Sequence, residues 1–388
     1  MSGALKNLRV LDITHVLAGP YCTYQLALLG ADVTKIEPPH APDCARERGP
    51  DDALNAQGLG LNYQVQGGNK RALAVDLSTP EGAKILRDLA LNADILVENY
   101  TTGALAVMGL GPCDLRALNP QLIYCSLTGY GDTGPLAQTG AYDNVIQAGS
   151  GIIDQSDGHK PAVSFVDYTA GLSAAFAILA AVNQRNMTGE GCTISVSMLE
   201  VAMNLMAPEA AAAQHATHTV RAKEAGITAY DTKQGKLMLG VFTPAQYRRL
   251  GSVLTNLQQP IPALSSINNW SDVWACAEQL NRDLAAVFAG RTCEEWITVL
   301  RANDLPCDRI KPLSEAVDSA QLRARGYFTG SPDDPSVTLP LSPFHMSQGG
   351  PALTKAPPRH GQDSEAVLAE AGRSATDIQH LRDIGVIR

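Results

Sequence analysis

Between Leu8 and Met198 the chain alternates short β-rich runs with helix-like segments, and no other feature limits its fold so tightly. LRVLDI (Leu8 to Ile13) reads as a buried strand, followed by a helix over Tyr21 to Leu29. DVTKIE (Asp32 to Glu37), ALAVDL (Ala72 to Leu77), DILVENY (Asp94 to Tyr100) and LIYCSLT (Leu122 to Thr128) continue the series, and Thr193 to Met198 closes it. One helix is well signalled: Thr79 caps it, Pro80 takes its first position, and Leu86, Leu89 and Ala90 share a face. Strands linked through such crossovers pair in parallel, with helices over the faces. The fold class is therefore α/β, with a parallel sheet.

A chain of 388 residues exceeds one ordinary core, so two domains are expected. Beyond Met198 the character changes. Leu199 to Ala225 is Ala-rich and reads as a helical connector, Tyr230 to Phe242 as a strand pair turning at Gln234-Gly235, and Trp270 to Asn303 as helix. From Gly330 onward Pro and Gly accumulate, which marks a long surface crossing, and the last helix candidate is Ser364 to Glu370.

Charge and cysteine usage narrow the function. A formal charge of −9 weighs against nonspecific nucleic-acid or anionic-membrane binding, yet leaves room for a phosphate-bearing ligand held by a few local Lys or Arg. The eight cysteines are scattered without a C-x-x-C pair, and MSGALKNLRVLDI lacks the basic start and apolar run of a signal segment. Reduced thiols and a cytoplasmic location are the expectation. His215 and His218 have no neighbouring acid or thiol to complete a metal set, so no metal is expected. The longest apolar stretch, Leu172 to Val182, is far shorter than the roughly 18 residues of a membrane span, so no membrane association is expected.

Two glycine motifs are decoys. Gly129-Tyr130-Gly131-Asp132-Thr133-Gly134 spells a dinucleotide fingerprint after a strand, but Pro135 and Gly140 interrupt the helix that must follow. The first strand–turn–helix, from Ile13 to Tyr21, carries no such motif. Gly149-Ser150-Gly151 has no strand directly ahead of it, so it is no nucleophile elbow.

Asp167 is the candidate for chemistry. It stands at the mouth of a long apolar helix, before a turn at Thr188-Gly189-Glu190-Gly191. Its bland reading is an N-cap for a helix opening at Tyr168. A lone carboxylate there is also a ready nucleophile, because an ordinary Asp, with a pKa of about 3.9, is ionised at neutral pH. The two roles are compatible, since helix N–H groups keep a carboxylate charged and oriented. The small residues Ala170, Gly171, Ser173 and Ala174 allow close approach by a backbone or ligand.

These pieces together resemble the class III CoA transferases, the CaiB/BaiF family. THVLAGPYCTYQLALLGADVTKIEPP, NKRALAVDL, ADILVENYTTGALAVMGL, SLTGYGDTGP, AYDNVIQAGSG, the segment from Pro161 through TGEGC, DLPCDRIKPLSEAVDSAQLRARGYF and HGQDSEAVLAEAG run in family order over nearly the whole chain. The resemblance implies a Rossmann-like large domain from residues 1–200 and 340–388, a helical linker over 201–225, a smaller α+β domain over 226–325 and a return linker over 326–339. It also implies a homodimer whose chains are interlocked like rings, and no permanently bound cofactor.

The family's catalytic aspartate falls on Asp167, which attacks an acyl-CoA thioester and passes through an anhydride and an aspartyl-CoA thioester. By the same resemblance Val16, Leu17 and Ala18 line the thiol end of CoA. Val75, Asp76, Leu77 and Ser78 hold the adenine, Asn99 and Tyr100 follow the cofactor chain, and Tyr142 and Asp143 lie beside the active site. Lys35, Arg46, Arg48, Lys70 and Arg71 are candidates for the CoA phosphates. The implied partners are an acyl-CoA and a small carboxylic acid, with dicarboxylates among the family's common substrates. Leu17, Pro38 and Val107 replace a Gln and two Arg of the formyl-CoA transferases, which points away from oxalate.

The α-methylacyl-CoA racemases of the family pair the aspartate with a His where this chain has Tyr142 or its neighbour. Tyrosine is a poor proton acceptor at neutral pH, so transfer is favoured over racemisation. A non-catalytic acyl-CoA-binding subunit is a further alternative, though a pure binder has no need of Asp167. A nicotinamide oxidoreductase rests only on the rejected glycine motif.

Overall fold

Period-two alternation, carried through strands buried on both faces, builds the larger unit. A computed structural model describes residues 3–215 and 223–388, so His218 and part of the expected Leu199-to-Ala225 helix lie outside the described residues. Six strands form one sheet: β1 (Arg9–Ile13), β2 (Asp32–Glu37), β3 (Lys70–Ala74), β4 (Ile95–Glu98), β5 (Ile123–Thr128) and β6 (Thr193–Ser197). Every pairing is parallel, in the order β3-β2-β1-β4-β5-β6. Val10, Ile95, Val97, Ile123 and Cys125 enter one core, while their chain neighbours Leu11, Leu96 and Tyr124 enter the other.

The two longest helices on the first face are α1 (Ala18–Leu28) and, later in the chain, the 24-residue helix Phe165–Thr188. They cross so closely that a Cβ on Gly171 would lie 2.5 Å from the Ala18 carbonyl oxygen, which is the approach the small residues were expected to permit. On the other face α2 (Pro80–Ala90) opens as read, with Thr79 accepting the Gly82 N–H. The third strand lies earlier than expected, because Val75 to Leu77 leave the sheet and only Val75 makes a bridge, to Ile387.

The apolar-run reading of the long helix needs correcting. Phe165–Thr188 contains an 18-residue window of mean hydropathy 1.7, long and apolar enough to cross a membrane by composition, although Gly, Ser and Thr interrupt the unbroken run. Val166, Ala170, Ala174 and Ile178 are buried against the sheet, whereas Leu172, Phe176 and Met187 are exposed.

The chain divides into one unit of Met1–Gln214 with Arg325–Arg388 and a second of His215–Ala324. The expected linker is partly helix belonging to the first unit, as Met198–Leu205 and Ala207–Gln214. The expected return linker holds a two-stranded antiparallel ribbon, Phe328–Gly330 with Thr338–Pro340. In the second unit the Gln234-Gly235 turn joins antiparallel strands Ala229–Asp231 and Lys236–Leu239, and Cys307–Arg309, not anticipated, adds a third. The expected helix over Trp270 to Asn303 is two, Trp270–Phe288 and Cys293–Arg301, because Thr292 starts a new capping box. Ser364–Glu370 is helical as read, and Asp363 and Ser364 accept the outward Ala72 and Ala74 N–H groups of edge strand β3. A last helix, Ala375–Asp383, lies beyond the elements expected from sequence.

Buried charge crowds β1, β2, the first residue of β3 and the loop after β2. Lys70 pairs with Asp12 at 2.9 Å, Lys35 with Asp43 at 3.0 Å and Arg46 with Glu37 at 2.6 Å, all with side chains 2% exposed or less. Burial works to raise the Asp12 carboxyl, but Lys70 and Lys35 outweigh it and hold the group at about 2. Lys70 also donates to the Pro20 carbonyl and Thr23 hydroxyl. Removing one partner strands the other charge, so Lys70→Met is expected to cost about 3–5 kcal/mol in urea unfolding at pH 7. A loss below about 1 kcal/mol overturns this account of the pair.

Candidate active site

The loop after β1 is held in a conformation its sequence does not favour. Val16 has φ of +74°, in the left-handed region, where a β-branched residue is strained by about 1–3 kcal/mol. Its neighbours fix it there. The Val16 N–H donates to Asp43 at 3.0 Å and its carbonyl accepts from Gln66 at 2.6 Å. Asn99, beyond β4, accepts the His15 N–H at 2.9 Å and donates to the His15 carbonyl at 2.8 Å. Lys35 reaches the Thr14 carbonyl at 2.8 Å. The loop leads into α1, whose N-terminal turn has no side-chain cap. In that turn Ala18 and Gly19 carry N–H groups without a side-chain cap, and Pro20 has none to satisfy.

Asp167 is presented from the opposite wall. A short helix, α3 (Asp143–Gly149), precedes the long helix α4 (Phe165–Thr188). The long helix opens at Phe165 rather than Tyr168, which puts Asp167 inside the first turn and not at the cap. Ser164 occupies the cap position without a side-chain bond. Asp143 supplies the cap from α3, accepting the Val166 N–H at 3.0 Å and the Asp167 N–H at 3.3 Å, while Gln147 donates to its other oxygen. Asp143 is 4% exposed and Asp167 half-buried.

Asp167 is consequently not the lone ionised acid read from sequence. Burial, and then the Asp143 charge, push its carboxyl up to about 7. Its proton is held to higher pH than that of a free carboxyl, and its carboxylate is the more basic for it.

Two cavities meet at this carboxyl. One, of about 540 Å³, lies at the carboxyl ends of β1 and β4, between loops 14–18 and 99–102. This is the point where strand order reverses, the usual ligand crevice of such sheets. The other, of about 1040 Å³, opens toward Arg48 and Lys160. Val16, Leu17, Tyr142 and Asp167 line both.

Comparison with known proteins decides what this arrangement belongs to. The model of the CoA-transferase family III matches residues 5–364. The chain belongs to that family. Succinyl-CoA:glutarate CoA-transferase of Mus musculus is 32% identical over 95% of this chain and 86% of its own length. Human alpha-methylacyl-CoA racemase is 26% identical over 99% and 97%. A crystal structure of a CAIB/BAIF family protein from Brucella suis superposes with a TM-score of 0.80, at 27% identity, over 96% of this chain and 100% of that one. CoA-transferase activity is named for several relatives and racemase activity for another, and the parallel sheet fits the α/β architecture of the superposed structure.

Within this family III chain the anticipated residues divide cleanly. Val16, Leu17, Ala18, Arg48, Asn99, Tyr100, Tyr142 and Asp143 line the two cavities with Asp167. Lys35, Arg46 and Lys70 do not: their charges are committed to buried internal acids, so none is offered to a phosphate. Arg71 is bound to Asp32 and Glu370 elsewhere, and Val75 to Ser78 line neither cavity. Sequence reasoning took these bases as free because their acidic partners are adjacent only in space. It also missed Lys160, which no motif marks, and the capping role of Asp143. The glycine hexapeptide after β5 is a turn, with Gly131 and Gly134 at positive φ and no helix before Asp143. Among the described residues no cluster of His, Cys, Asp and Glu offers a metal site, and all eight thiols are free.

A carboxyl raised in the folded state penalises folding once it must ionise. The penalty is absent below the unfolded value of about 4 and complete above about 7. Asp167→Asn is therefore expected to melt above wild type at pH 8, with the difference shrinking to nothing as the pH falls to about 4. Thermal unfolding across that range checks it, and a pH-independent difference contradicts the assigned ionisation.

Proposed function

We propose that this protein transfers CoA from an acyl-CoA to a small dicarboxylic acid, with Asp167 as the covalent carrier. The observation that carries the reading is the half-buried carboxylate standing between two cavities, one at the sheet crevice and one with free cations. Asp167 attacks the thioester carbonyl, the C–S bond breaks, and CoA leaves as thiolate from a mixed anhydride. The thiolate attacks the aspartyl carbonyl and expels the donor acid, which leaves an aspartyl-CoA thioester. The acceptor carboxylate then runs the sequence in reverse. The uncapped N–H groups of Ala18 and Gly19 at the start of α1 supply donors, with the positive end of the helix dipole, for oxyanion and thiolate.

The substrate class rests on two supports. The mouse relative is named for glutarate and succinyl-CoA. In the larger cavity Arg48 and Lys160 are the cations, and neither has an acid partner among the described ion pairs. A second carboxylate on the acid would pair with them. Tyr142, which lines both cavities, stands at or beside the position where the family's racemases carry their histidine, and this supports transfer over racemisation.

One set of incubations tests the reading. With succinyl-CoA and hydroxylamine, mass spectrometry is expected to find Asp167 as its hydroxamate, and Asp167→Asn to lose transfer by at least about a thousandfold. Glutarate is expected to be a better acceptor than valerate, with the advantage reduced about tenfold or more in Arg48→Met. Absence of any adduct with a broad donor panel, together with solvent deuterium entering α to the thioester, would replace transfer by the racemase alternative.

A further inference from the structure

Asp143 serves structure at first sight, yet it is an odd cap. Ser164 already holds the cap position of the helix that carries Asp167, but makes no side-chain bond there. The N–H groups of Val166 and Asp167 are served instead by a carboxylate 23 and 24 residues earlier in the chain, on another helix. A neutral acceptor would satisfy them equally well. Only a carboxylate adds a negative charge, fixed by Gln147 and buried where it cannot swing away from Asp167.

We propose that Asp143 is a positioning residue that drives CoA onto Asp167, because its fixed charge repels Asp167 as a carboxylate and has nothing to repel once Asp167 is a neutral thioester. The inference rests on the covalent reading above. In the loading half-reaction an acyl-CoA and the Asp167 carboxylate become aspartyl-CoA and a free carboxylate. One thioester C–S bond breaks and one forms, and the negative charge moves from the buried side chain to the departing acid. Any interaction that destabilises the buried anion pulls this exchange forward. The same bias acts on the anhydride. CoA thiolate attacking the aspartyl carbonyl expels the substrate carboxylate, whereas attack at the other carbonyl expels Asp167. The weaker base leaves more readily, and the Asp143 charge makes Asp167 the stronger base. The upward shift of the Asp167 carboxyl, caused by burial and then by Asp143, agrees with this.

Other charged or titratable groups face Asp167 and do not supply the effect. Arg48 and Lys160 in the larger cavity stabilise an anion, and Cys44 there is exposed. His15 and Tyr100 line the smaller cavity, Tyr142 stands between the two, and Tyr168 adjoins Asp167 on its own helix. Burial holds the His15 imidazole toward its neutral form and the Tyr100 and Tyr168 hydroxyls toward theirs. Asp143 is the buried acid beside Asp167.

Asp143→Asn keeps the acceptor oxygen and removes the charge, and Asp143→Ser does the same in a smaller side chain. Melting temperatures establish that the variants fold. The readout is the equilibrium between free enzyme and aspartyl-CoA, measured by intact mass at fixed ratios of succinyl-CoA to succinate, with the acidic limb of the transfer rate. At pH 8 Asp167 is ionised in both proteins, and the loading constant of Asp143→Asn is expected to fall roughly tenfold for each unit by which its Asp167 pKa drops. The acidic limb is expected to move to lower pH, so that the variant outperforms wild type at pH 5.5 while loading less fully at pH 8. A cap without electrostatic function predicts neither change. Unaltered loading and an unmoved limb in a folded Asp143→Asn that still labels Asp167 overturn the inference alone. If wild type forms no aspartyl-CoA, the covalent reading fails first and takes the inference with it.

Discussion

The loop after β1 depends on a set of buried ion pairs beneath it. Asp12–Lys70, Lys35–Asp43 and Glu37–Arg46 are sealed from solvent on the first two strands, at the start of the third and in the loop after the second. Each charge would be costly alone. Paired, they hold a segment that would otherwise relax: Asp43 fixes the strained Val16 N–H while Lys35 fixes the Thr14 carbonyl. The loop facing Asp167 is thus held in part by groups that line neither cavity, and Lys35, Arg46 and Lys70 are scaffold.

The opposing wall works by a different principle. There a short helix lends its first carboxylate to the mouth of a long one, which fixes Asp167 and sets its ionisation in one arrangement. Burial and like charge beside an acid are among the means by which functional sites shift its ionisation. Here one side chain supplies both the charge and the support, and the long helix carries the consequence because Gly171 lets it lie directly on α1. Strain at Val16 and charge repulsion at Asp167 lie on the walls of the same two cavities, where stability is given up for function.

Much of the scaffold was legible from the sequence because it is governed by local pattern. Strand periodicity placed β1, β2, β4, β5 and β6 to within a residue or two at most ends, and Thr79-Pro80 marked a helix start whose cap is local. The turn at Gln234-Gly235 was legible for the same reason. The short strand Cys307–Arg309 was not, because its partner lies far back in the chain and three residues carry no period. The start of the long helix was misplaced since its cap, Asp143, is remote in sequence.

What the sequence alone determined is the α/β class, the choice of Asp167 as the candidate acid, and the family resemblance later matched over residues 5–364. These depend on short-range patterns and on motifs read in order. What only the tertiary structure decided is which charges are free. Arg48 and Lys160 face the larger cavity, whereas Lys35, Arg46 and Lys70 are neutralised inside the fold. It also decided that Asp167 ionises at higher pH than a free carboxyl, through burial and the Asp143 charge. Ionisation and ion pairing depend on distance through space and on the dielectric of the surroundings, and neither is written in the order of the residues.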